Sequence, residues 1–361
     1  MESEAEQGPR ATASPPPDRA IASGLGRSVL IVGEGARGAQ AQVAALAERL
    51  NAPVLTTFRA KGLVPDTPPG RGRPGPFRYP RRLLADDRSR PTALLVVGAS
   101  FSNHTGIAPY KPIIQIDDSP EAIGRFTRVD IGLLGDATVT LTALLDRFGP
   151  LGPEVKAVDQ RHDTAARWGI WRPEKARRAA DDRGQGLSSA AVFAALTRHC
   201  PTEAVMTVDV GDHAYSFGRY FESAGQPVLM SGYLGSIGFG YPAAMGAWAA
   251  DPNRPVVAVT GDGGFGQYLA ELTTAVKHGM PIKHVLLDNG SLGKISKEQL
   301  AGHLPVWQTS LVNPNFADFA RSCGATGLTA RPPDELDHAM RELFATDGPA
   351  LLHLHTDPTL V

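Results

Sequence analysis

The sequence has few cysteines, little net charge and no long apolar segment. Its two cysteines, Cys200 and Cys323, have no metal-binding spacing, which argues against a disulfide scaffold and favours a reduced, cytoplasmic protein. No apolar run approaches the roughly 20 residues that a membrane-spanning helix needs, and residues 1–19 are too polar and proline-rich for a signal peptide. The formal net charge of -1 gives no electrostatic case for binding nucleic acid or an anionic membrane.

The length and composition predict two domains of ordinary size. The chain has 361 residues, of which 42% are hydrophobic, and this is enough for two sizeable cores. Residues 1–25 have the composition of a linker or disordered arm. We expect a first domain at 26–150, a charged connector at 151–185 with a short helix at 168–171, and a second domain at 186–361.

One stretch of the second predicted domain contains two strand–turn units. Residues 256–260 are apolar and β-branched, typical of a buried strand, and they lead into the turn Gly-Asp-Gly-Gly at 261–264. Apolar residues recur at helical spacing over 265–277, and a second apolar run ends in the pair Asp288-Asn289. The pattern predicts a βαβ crossover with both polar turns at one edge of a parallel sheet.

The residues at these two turns suit a diphosphate and a magnesium ion. Backbone N–H groups of Gly263 and Gly264 are expected at a helix N-terminus, where they can hold a phosphate. Asp262 and Asn289 offer the hard oxygen ligands that Mg²⁺ prefers. The sequence therefore predicts a magnesium–diphosphate site.

The same residues resemble the signature of thiamine diphosphate (ThDP)-dependent enzymes. In that family a Gly-Asp-Gly is followed, after a spacer, by two asparagines; here the spacer is 264–287 and the pair is Asp288-Asn289. Residues 235–244 (GSIGFGYPAA) also resemble a family segment, and residues 292–299 (LGKISKEQ) are similar to the helix that follows the signature in pyruvate oxidases. The aspartate at 288 departs from the family pattern at a position that is not the usual metal ligand.

The resemblance implies which residues form the cofactor site. It assigns the metal to Asp262, Asn289 and the backbone carbonyl of Ser291. It also assigns to the cofactor the residues Gly211, His213, Ser236, Ile237, Gly261, Gly263, Gly264, Leu292 and Gly293. The side chain of Ile237, where methionine is usual, would support the bent cofactor between its two rings.

The roles of four side chains in or near this set are open. Ile295 and Glu298 match positions that face the substrate in pyruvate oxidases, and Glu298 is the candidate catalytic residue, with a solvated helix carboxylate as the alternative. His213 either contacts the diphosphate or is a surface histidine on a turn. Asp212 does not suit a diphosphate contact, because two negative groups repel unless a metal screens them.

Two groups of side chains outside this set are expected to have structural or solvated roles. His353 and His355 alternate with leucines on the last predicted strand, and we expect a solvated or capped edge there, not metal ligands. Five arginines of a Pro/Gly-rich loop are expected in solvent, with contact to a cofactor phosphate as the alternative: Arg71, Arg73, Arg78, Arg81 and Arg82.

The first predicted domain opens with a βαβ unit that has a glycine-containing turn. We expect a strand at 28–33 and a helix at 39–50, then strands at 53–57, 93–98 and 113–117, and a helix that ends near Phe148. A six-stranded, doubly wound parallel sheet fits this pattern. Both domains are therefore expected to be α/β with doubly wound parallel sheets.

This domain resembles the central domain of the ThDP family. That domain binds FAD in pyruvate oxidases and acetolactate synthases, and it is structural in many relatives. Gly35, Gly98 and the turn 100–104 lie at strand ends where FAD could lie, and Asp117 could reach its ribose or adenine. The alternative is that the turns themselves need the glycines, so a flavoprotein is one of two possibilities.

The resemblance implies a ThDP- and Mg²⁺-dependent enzyme that acts on a 2-oxo acid such as pyruvate. The expected reaction is decarboxylation and oxidation of the pyruvate oxidase type. One alternative is a transferase that performs carboligation like acetolactate synthase. Another alternative is a ThDP-binding subunit without catalytic activity.

Family chains usually begin with a pyrimidine-binding domain that carries an activating glutamate, and residues 1–27 do not supply one. We expect that the chain is truncated at its start. The alternatives are that a separate chain provides the missing domain, or that the chain is a cofactor-binding remnant with another role. The family also implies a homo-oligomer.

Overall fold

The computed structural model describes residues 26–66, 93–100, 111–148, 157–232, 234–330 and 333–360. The chain divides into two compact units between Gly169 and Ile170. None of the helices among the described residues combines the length and the apolar composition of a membrane span. The five arginines at 71–82 lie outside the described residues, as does most of the turn 100–104.

The first unit contains a parallel sheet that is covered on both faces. Its strands are β1 Ser28–Val32, β2 Val54–Thr56, β3 Ala93–Val97, β4 Ile113–Asp117 and β5 Ile131–Leu134, in the order β2-β1-β3-β4-β5. Its helices are a 3-10 turn at Glu34–Ala36, then α1 Gln40–Arg49 and α2 Ala137–Phe148. Within the described residues the sheet has five strands, whereas the sequence predicted six.

Strand β1 shows why these segments are continuously apolar. Leu30 and Val32 belong to one buried cluster, and Val29 and Ile31 belong to another. Side chains alternate between the faces of a strand, so both faces of β1 are packed. This is the doubly wound arrangement that the sequence predicted.

The predicted connector is largely one helix, α3 Arg161–Ala179. Its later part packs in the second unit, where the ring of Trp171 stacks on Tyr220 at 6.0 Å between ring centroids. Glu174 pairs with Arg177 and Arg178, three and four residues further along the helix. The expectation of a short helix at 168–171 underestimated the length, because charged residues at this spacing stabilise a helix that has little apolar surface.

The second unit contains a six-stranded parallel sheet. Its strands are β6 Val205–Val208, β7 Val228–Met230, β8 Val256–Gly261, β9 Lys283–Asp288, β10 Thr326–Ala330 and β11 Ala350–His355, in the order β10-β11-β9-β8-β6-β7. Its helices are α4 Ser189–His199, α5 Asp212–Tyr220, α6 Gly240–Ala250, α7 Asp262–Gly266, α8 Glu271–Lys277, α9 Gly293–Ala301, α10 Phe316–Ser322 and α11 Pro333–Ala345.

The strand order puts a topological switch point between β6 and β8. From β6 the chain goes outward to β7, and from β8 it goes to the other side through β9. Ligands of doubly wound folds bind at the carboxyl ends of the strands on either side of such a point. The strand ends at Asp209, Asp262 and Asn289 therefore meet at the edge of the sheet where a ligand is expected.

Two predictions about local structure in this unit were wrong. The single helix expected at 265–277 is divided into α7 and α8 by the turn 267–270, where the backbone forms i to i−3 hydrogen bonds such as Tyr268 N–H to the Phe265 carbonyl at 2.9 Å. His353 does not lie at a solvated edge. Strand β11 pairs with strands on both sides, and His353 is 1% exposed.

Candidate functional site

Three neighbouring strands end in acidic residues at one edge of the second sheet. Strands β9, β8 and β6 are adjacent and parallel. Asp209 follows β6, Asp262 follows the last residue of β8, and Asp288 is the last residue of β9. All three carboxylates are buried, so each needs hydrogen-bond donors or a cation.

The carboxylate of Asp209 holds the loop that precedes α6. Its Oδ2 accepts a hydrogen bond from the Gly238 N–H at 3.0 Å, and its Oδ1 accepts from Phe239 at 3.2 Å and Val210 at 2.7 Å. Burial raises the pKa of Asp209, and the backbone hydrogen bonds oppose that rise. The predicted cofactor residues Ser236 and Ile237 lie just before this anchor, which fixes their segment against β6.

The glycines of the 261–264 turn are explained by close approach. A Cβ on Gly264 would lie 2.3 Å from Asp209 Oδ2, and one on Gly263 would lie 2.6 Å from Leu292 Cδ2. Real Cβ atoms do not come this close to other heavy atoms. A larger residue at either position would therefore push apart the segments that meet at the sheet edge.

Asp262 is held by backbone and side-chain donors from the next strand end. Its Oδ1 accepts from the Gly263 N–H at 3.0 Å, and its Oδ2 accepts from the Gly290 N–H at 2.9 Å and from Asn313 Nδ2 at 2.8 Å. Burial raises the pKa of Asp262, and the neighbouring Asp288 carboxylate adds to the rise. The carboxylate is thus costly to ionise unless a cation is beside it.

Asp288 accepts hydrogen bonds from two of the donors that also bind Asp262, and it has a histidine partner in addition. Its Oδ1 accepts from the Gly290 N–H at 3.0 Å and from Asn313 Nδ2 at 2.8 Å, and its Oδ2 lies 2.8 Å from His353 Nε2. Burial alone would raise the pKa of Asp288, but the hydrogen bonds, with His353 first, lower it overall. Two carboxylates therefore converge on one amide and one N–H group.

The loop after β9 orders the other predicted metal ligands. Asn289 Oδ1 accepts from the Ser291 N–H at 3.0 Å, which closes an Asx turn, and Leu292 N–H donates to Thr309 at 2.8 Å. The Asp262 carboxylate, the Asn289 carboxamide and the Ser291 carbonyl are all hard oxygen donors. This donor set suits Mg²⁺.

His213 is enclosed by the glycine backbones of two strand ends. A Cβ on Gly211 or on Gly261 would lie 3.0 Å from its ring. Burial lowers the pKa of His213 to about 4, against a backbone hydrogen bond with Asp209 and the charge of Asp212. Among the described residues, His213 Nε2 is buried without a hydrogen-bond partner. An orphaned polar atom at this edge suits a polar ligand, since buried polar groups are normally satisfied.

Asp212 and helix α9 form the far side of this region. Asp212 Oδ2 is 2.9 Å from Lys297 Nζ, and a Cβ on Gly293 would lie 2.5 Å from the same oxygen. Lys297 therefore compensates the negative charge that made Asp212 unsuited to a diphosphate contact.

The two residues expected to face a substrate, Ile295 and Glu298, lie on α9. Ile295 is 45% exposed, and the exposed Glu298 pairs with Lys294 at 2.6 Å. The same pair raises the pKa of Lys294. The structure therefore gives both residues an accessible position on the helix that follows the predicted metal ligands.

In the first unit, the predicted FAD residues have structural partners. The Gly35 N–H donates to the Gly98 carbonyl at 3.0 Å, and a Cβ on Gly33 would lie 2.0 Å from the same oxygen. Asp117 Oδ1 accepts from the Ser119 N–H at 3.2 Å, and burial raises the pKa of Asp117. Close packing of two turns is therefore sufficient to explain these glycines.

Sequence reasoning missed Asn313 and the anchoring role of Asp209. Asn313 lies 51 residues from Asp262 along the chain, and no local pattern marks it. Asp209 was visible as the third polar strand end, but its contact with Gly238 depends on a loop 29 residues away.

Comparison with known proteins identifies both units. The profile "Thiamine pyrophosphate enzyme, central domain" matches residues 23–144, and "Thiamine pyrophosphate enzyme, C-terminal TPP binding domain" matches residues 209–354. The chain is 30% identical over 328 residues to the putative thiamine pyrophosphate-containing protein YdaP of Bacillus subtilis. The aligned residues are 90% of this chain and 56% of that protein.

Acetolactate synthases are also similar. The chain is 30% identical over 272 residues to the isozyme 2 large subunit of Escherichia coli, covering 73% of this chain and 47% of that protein. It is 30% identical over 334 residues to the large subunit of Haemophilus influenzae, covering 88% and 57%. The chain thus spans about half the length of the curated relatives that it matches.

Proposed function

The chain belongs to the thiamine pyrophosphate enzymes, and from this premise we propose that it binds ThDP with Mg²⁺ and acts on a 2-oxo acid such as pyruvate. The proposed reaction is decarboxylation and oxidation of the pyruvate oxidase type. The observation that carries the proposal is the arrangement around Asp262. A buried carboxylate of raised pKa lies beside a second buried carboxylate, next to the switch point of the sheet.

In this proposal, Asp262, Asn289 and the Ser291 carbonyl hold Mg²⁺. The diphosphate lies against the strand ends and the start of α9, in contact with the residues Gly211, His213, Gly261, Gly263, Gly264, Leu292 and Gly293. Ser236 and Ile237, anchored by Asp209, contact the rings of the cofactor. The structural support for this assignment is the oxygen donor set together with the buried Nε2 of His213, which has no hydrogen-bond partner among the residues that the structure describes.

When bound, ThDP supplies a carbon nucleophile for the 2-oxo carbon and an acceptor for the electrons released when CO₂ leaves. The residues of this chain bind and orient. Asp262 brings negative charge to the metal, and the Asp209 anchor holds the loop 236–239 against the glycine turn. Glu298 is exposed on α9, and its proposed role is to transfer a proton to or from the substrate, or to bind the substrate.

The proposal is tested by calorimetric titration of ThDP into the purified chain with Mg²⁺. We expect saturable binding that Asp262→Ala abolishes. Asp318→Ala, an exposed aspartate on α10, is the matched control and should bind as the wild type does. If Asp262→Ala left the affinity for ThDP unchanged, the metal assignment would be wrong.

Turnover is tested separately by pyruvate consumption and product analysis. Acetate, acetyl phosphate or reduction of an electron acceptor would support the oxidase type. Acetolactate would instead support carboligation, the alternative favoured by the similarity to acetolactate synthase large subunits. Glu298→Gln should lower turnover without changing ThDP affinity; an unchanged rate would assign it a solvated role.

Binding without turnover would favour the third candidate, a ThDP-binding subunit that needs another chain or a longer one. That candidate is supported by large apolar side chains that are at least 45% exposed on and after α9, namely Ile295, Leu300, Leu304, Val306, Trp307 and Val312. Such a surface suits a partner, whether a second copy or a chain with a pyrimidine-binding domain. Sedimentation of the purified chain distinguishes a homo-oligomer from a monomer that awaits a partner.

FAD remains a separate proposal for the first unit. The contacts of Gly35 with Gly98 explain those glycines without a ligand. Flavin absorbance of the purified protein, before and after incubation with FAD, decides between a flavoprotein and a structural central domain.

A further inference from the structure

A second group of metal-ligating side chains lies next to the Asp262 site. It consists of Asp288, His353 and His355, and one ligand atom of each lies within 4.8 Å of the others. Asp288 Oδ2 is 2.8 Å from His353 Nε2 and 3.9 Å from His355 Nδ1. We propose that this Asp–His–His cluster binds a transition-metal ion such as Zn²⁺, at a site separate from the proposed Mg²⁺ site.

The register of the sheet creates the cluster. Strands β9 and β11 are parallel neighbours, and Asp288 pairs with His355 across them. His353 is two residues before His355 on the same strand, so its side chain is on the same face. The backbone therefore holds all three side chains together without help from a loop.

The ligand types select the class of ion. Two imidazoles and one carboxylate are a set that Zn²⁺ and other divalent transition metals accept, with one or more positions left for water. Mg²⁺ prefers oxygen ligands and is poorly matched to two imidazoles. We therefore expect Mg²⁺ to bind at the Asp262 site and a transition-metal ion to bind at the Asp–His–His cluster.

Burial and access also fit a cation site. His353 and Asp288 are buried, whereas the side chain of His355 is 41% exposed. An ion can reach the cluster from the His355 side, where water completes its coordination. The rings of Phe316 and His353 pack in a T-shaped arrangement, at 5.2 Å between their centroids.

The local charge favours a cation. Asp288 shares the donors Gly290 and Asn313 with Asp262, so two carboxylates lie close together behind the histidines. Position 288 is also where the ThDP signature usually has asparagine, and a carboxylate is the stronger ligand of the two. The chain thus has a charged ligand at the point where the resemblance leads one to expect a neutral one.

One feature of His353 limits the expected affinity. Among the described residues, its Nδ1 is buried and has no hydrogen-bond partner. Metal-bound histidines usually donate their other N–H, and loss of such a partner typically weakens metal binding by about 10- to 100-fold. We therefore expect reversible binding that a chelator removes, weaker than in a closed structural zinc site.

The test uses Co²⁺ as a spectroscopic probe, in the full chain, after treatment with EDTA and without ThDP. Visible absorption should show one bound Co²⁺ with the intense bands of a four- or five-coordinate ion, and Zn²⁺ should displace it. His355→Gln should weaken Co²⁺ binding by at least about tenfold. His338→Gln, an exposed histidine on α11, is the matched control and should bind Co²⁺ as the wild type does.

Two further variants separate this cluster from the proposed ThDP site. Asp262→Asn should lose Mg²⁺-dependent ThDP binding and keep the Co²⁺ spectrum, whereas His355→Gln should keep ThDP binding. Because His355 is half-exposed, its replacement should fold, as circular dichroism would show. The proposal is overturned if no such bands appear, if His355→Gln binds Co²⁺ like the wild type, or if Asp262→Asn abolishes Co²⁺ binding.

Discussion

The backbone of Gly264 lies against the carboxylate of Asp209, so closely that a Cβ on Gly264 would be 2.3 Å from Oδ2. The same oxygen accepts the Gly238 N–H at 3.0 Å. One buried carboxylate thus joins the end of β6, the turn after β8 and the loop before α6. Any side chain at position 264 must displace Asp209 and release that loop.

Gly264→Ala is therefore expected to lower both stability and ThDP affinity. Overpacking of this kind typically costs about 1–3 kcal/mol. Gly266→Ala is the matched control, since nothing lies within 4 Å of a Cβ at that position of the same helix. Urea unfolding and ThDP titration of both variants check the prediction. If both variants had the same unfolding free energy and the same ThDP affinity, the close contact between Gly264 and Asp209 would not determine either property.

Asn313→Ala is expected to weaken the proposed Mg²⁺ site, because it removes a hydrogen-bond donor to Asp262. Asn313 Nδ2 donates to Asp262 and to Asp288, both at 2.8 Å, and its loss leaves two buried carboxylates short of a donor. Leaving such groups unsatisfied typically costs about 1–3 kcal/mol. Mg²⁺-dependent ThDP affinity should fall together with the free energy of unfolding.

A neighbouring asparagine provides the control for Asn313. Asn315 caps α10, and its Oδ1 accepts from Ala317 and Asp318, both at 3.1 Å. Asn315→Ala should cost about 1 kcal/mol of stability through the lost cap and leave ThDP affinity unchanged. A fall in ThDP affinity in both variants would mean that the effect is general destabilisation.

Local patterns were sufficient for most of the fold. The apolar runs and glycine turns predicted both parallel sheets, because strand periodicity and turn chemistry are properties of neighbouring residues. They also placed Asp262 and Asn289 at one sheet edge, since parallel strands joined by a helix must end on the same side. Whether these residues bind a cofactor stays a prediction.

The errors came from properties that are not local. His353 was expected at an edge, but β11 pairs on both sides, and strand order is set by the whole sheet. Asn313 was missed because its partners are 51 and 25 residues away in sequence. The interruption between α7 and α8 was missed because the apolar spacing of 265–277 continues through the turn 267–270.

The affinity for Mg²⁺–ThDP should fall as the pH is lowered through about 6. Burial and the Asp288 carboxylate raise the pKa of Asp262 to about 6, and Mg²⁺ binds only the ionised form. Affinity is thus fully present above that pH and is expected to drop about tenfold per unit below it. Calorimetric titrations at pH 7.5, 6.5 and 5.5 would measure this trend.

The variant Asp288→Asn shows whether this pH dependence originates from Asp262 or from the cofactor, whose own phosphate groups also titrate near pH 6. Removal of the neighbouring negative charge lowers the pKa of Asp262, so the fall in affinity should move to lower pH. An unchanged pH profile in this variant would assign the titration to the diphosphate.

Below pH 6.5 a different buried group should reduce stability. His284 is fully buried, with its Nε2 2.7 Å from Thr260 Oγ1 and its ring packed against Phe265 at 4.5 Å between centroids. Burial lowers the pKa of His284 to about 3, against about 6.5 in the unfolded chain. Between these values the unfolded state binds the extra proton. The stability contribution of the neutral ring is therefore present above pH 6.5 and is lost as the pH falls.

One such proton changes the free energy of unfolding by about 1.4 kcal/mol per pH unit. Burial also lowers the pKa of His213, which acts in the same direction as His284, whereas Asp209 and Asp262 have raised pKa values and act in the opposite direction. The comparison between variants is therefore the useful measurement. His284→Gln should remove the contribution of one proton from the pH slope of the unfolding free energy, measured by urea unfolding between pH 6 and 4, whatever its effect at pH 7. His338→Gln, on the exposed face of α11, should retain it. The slope counts the protons taken up on unfolding, so it does not depend on how much the substitution itself destabilises the fold. If the wild type and His284→Gln showed the same slope, the acid sensitivity would therefore originate from another group.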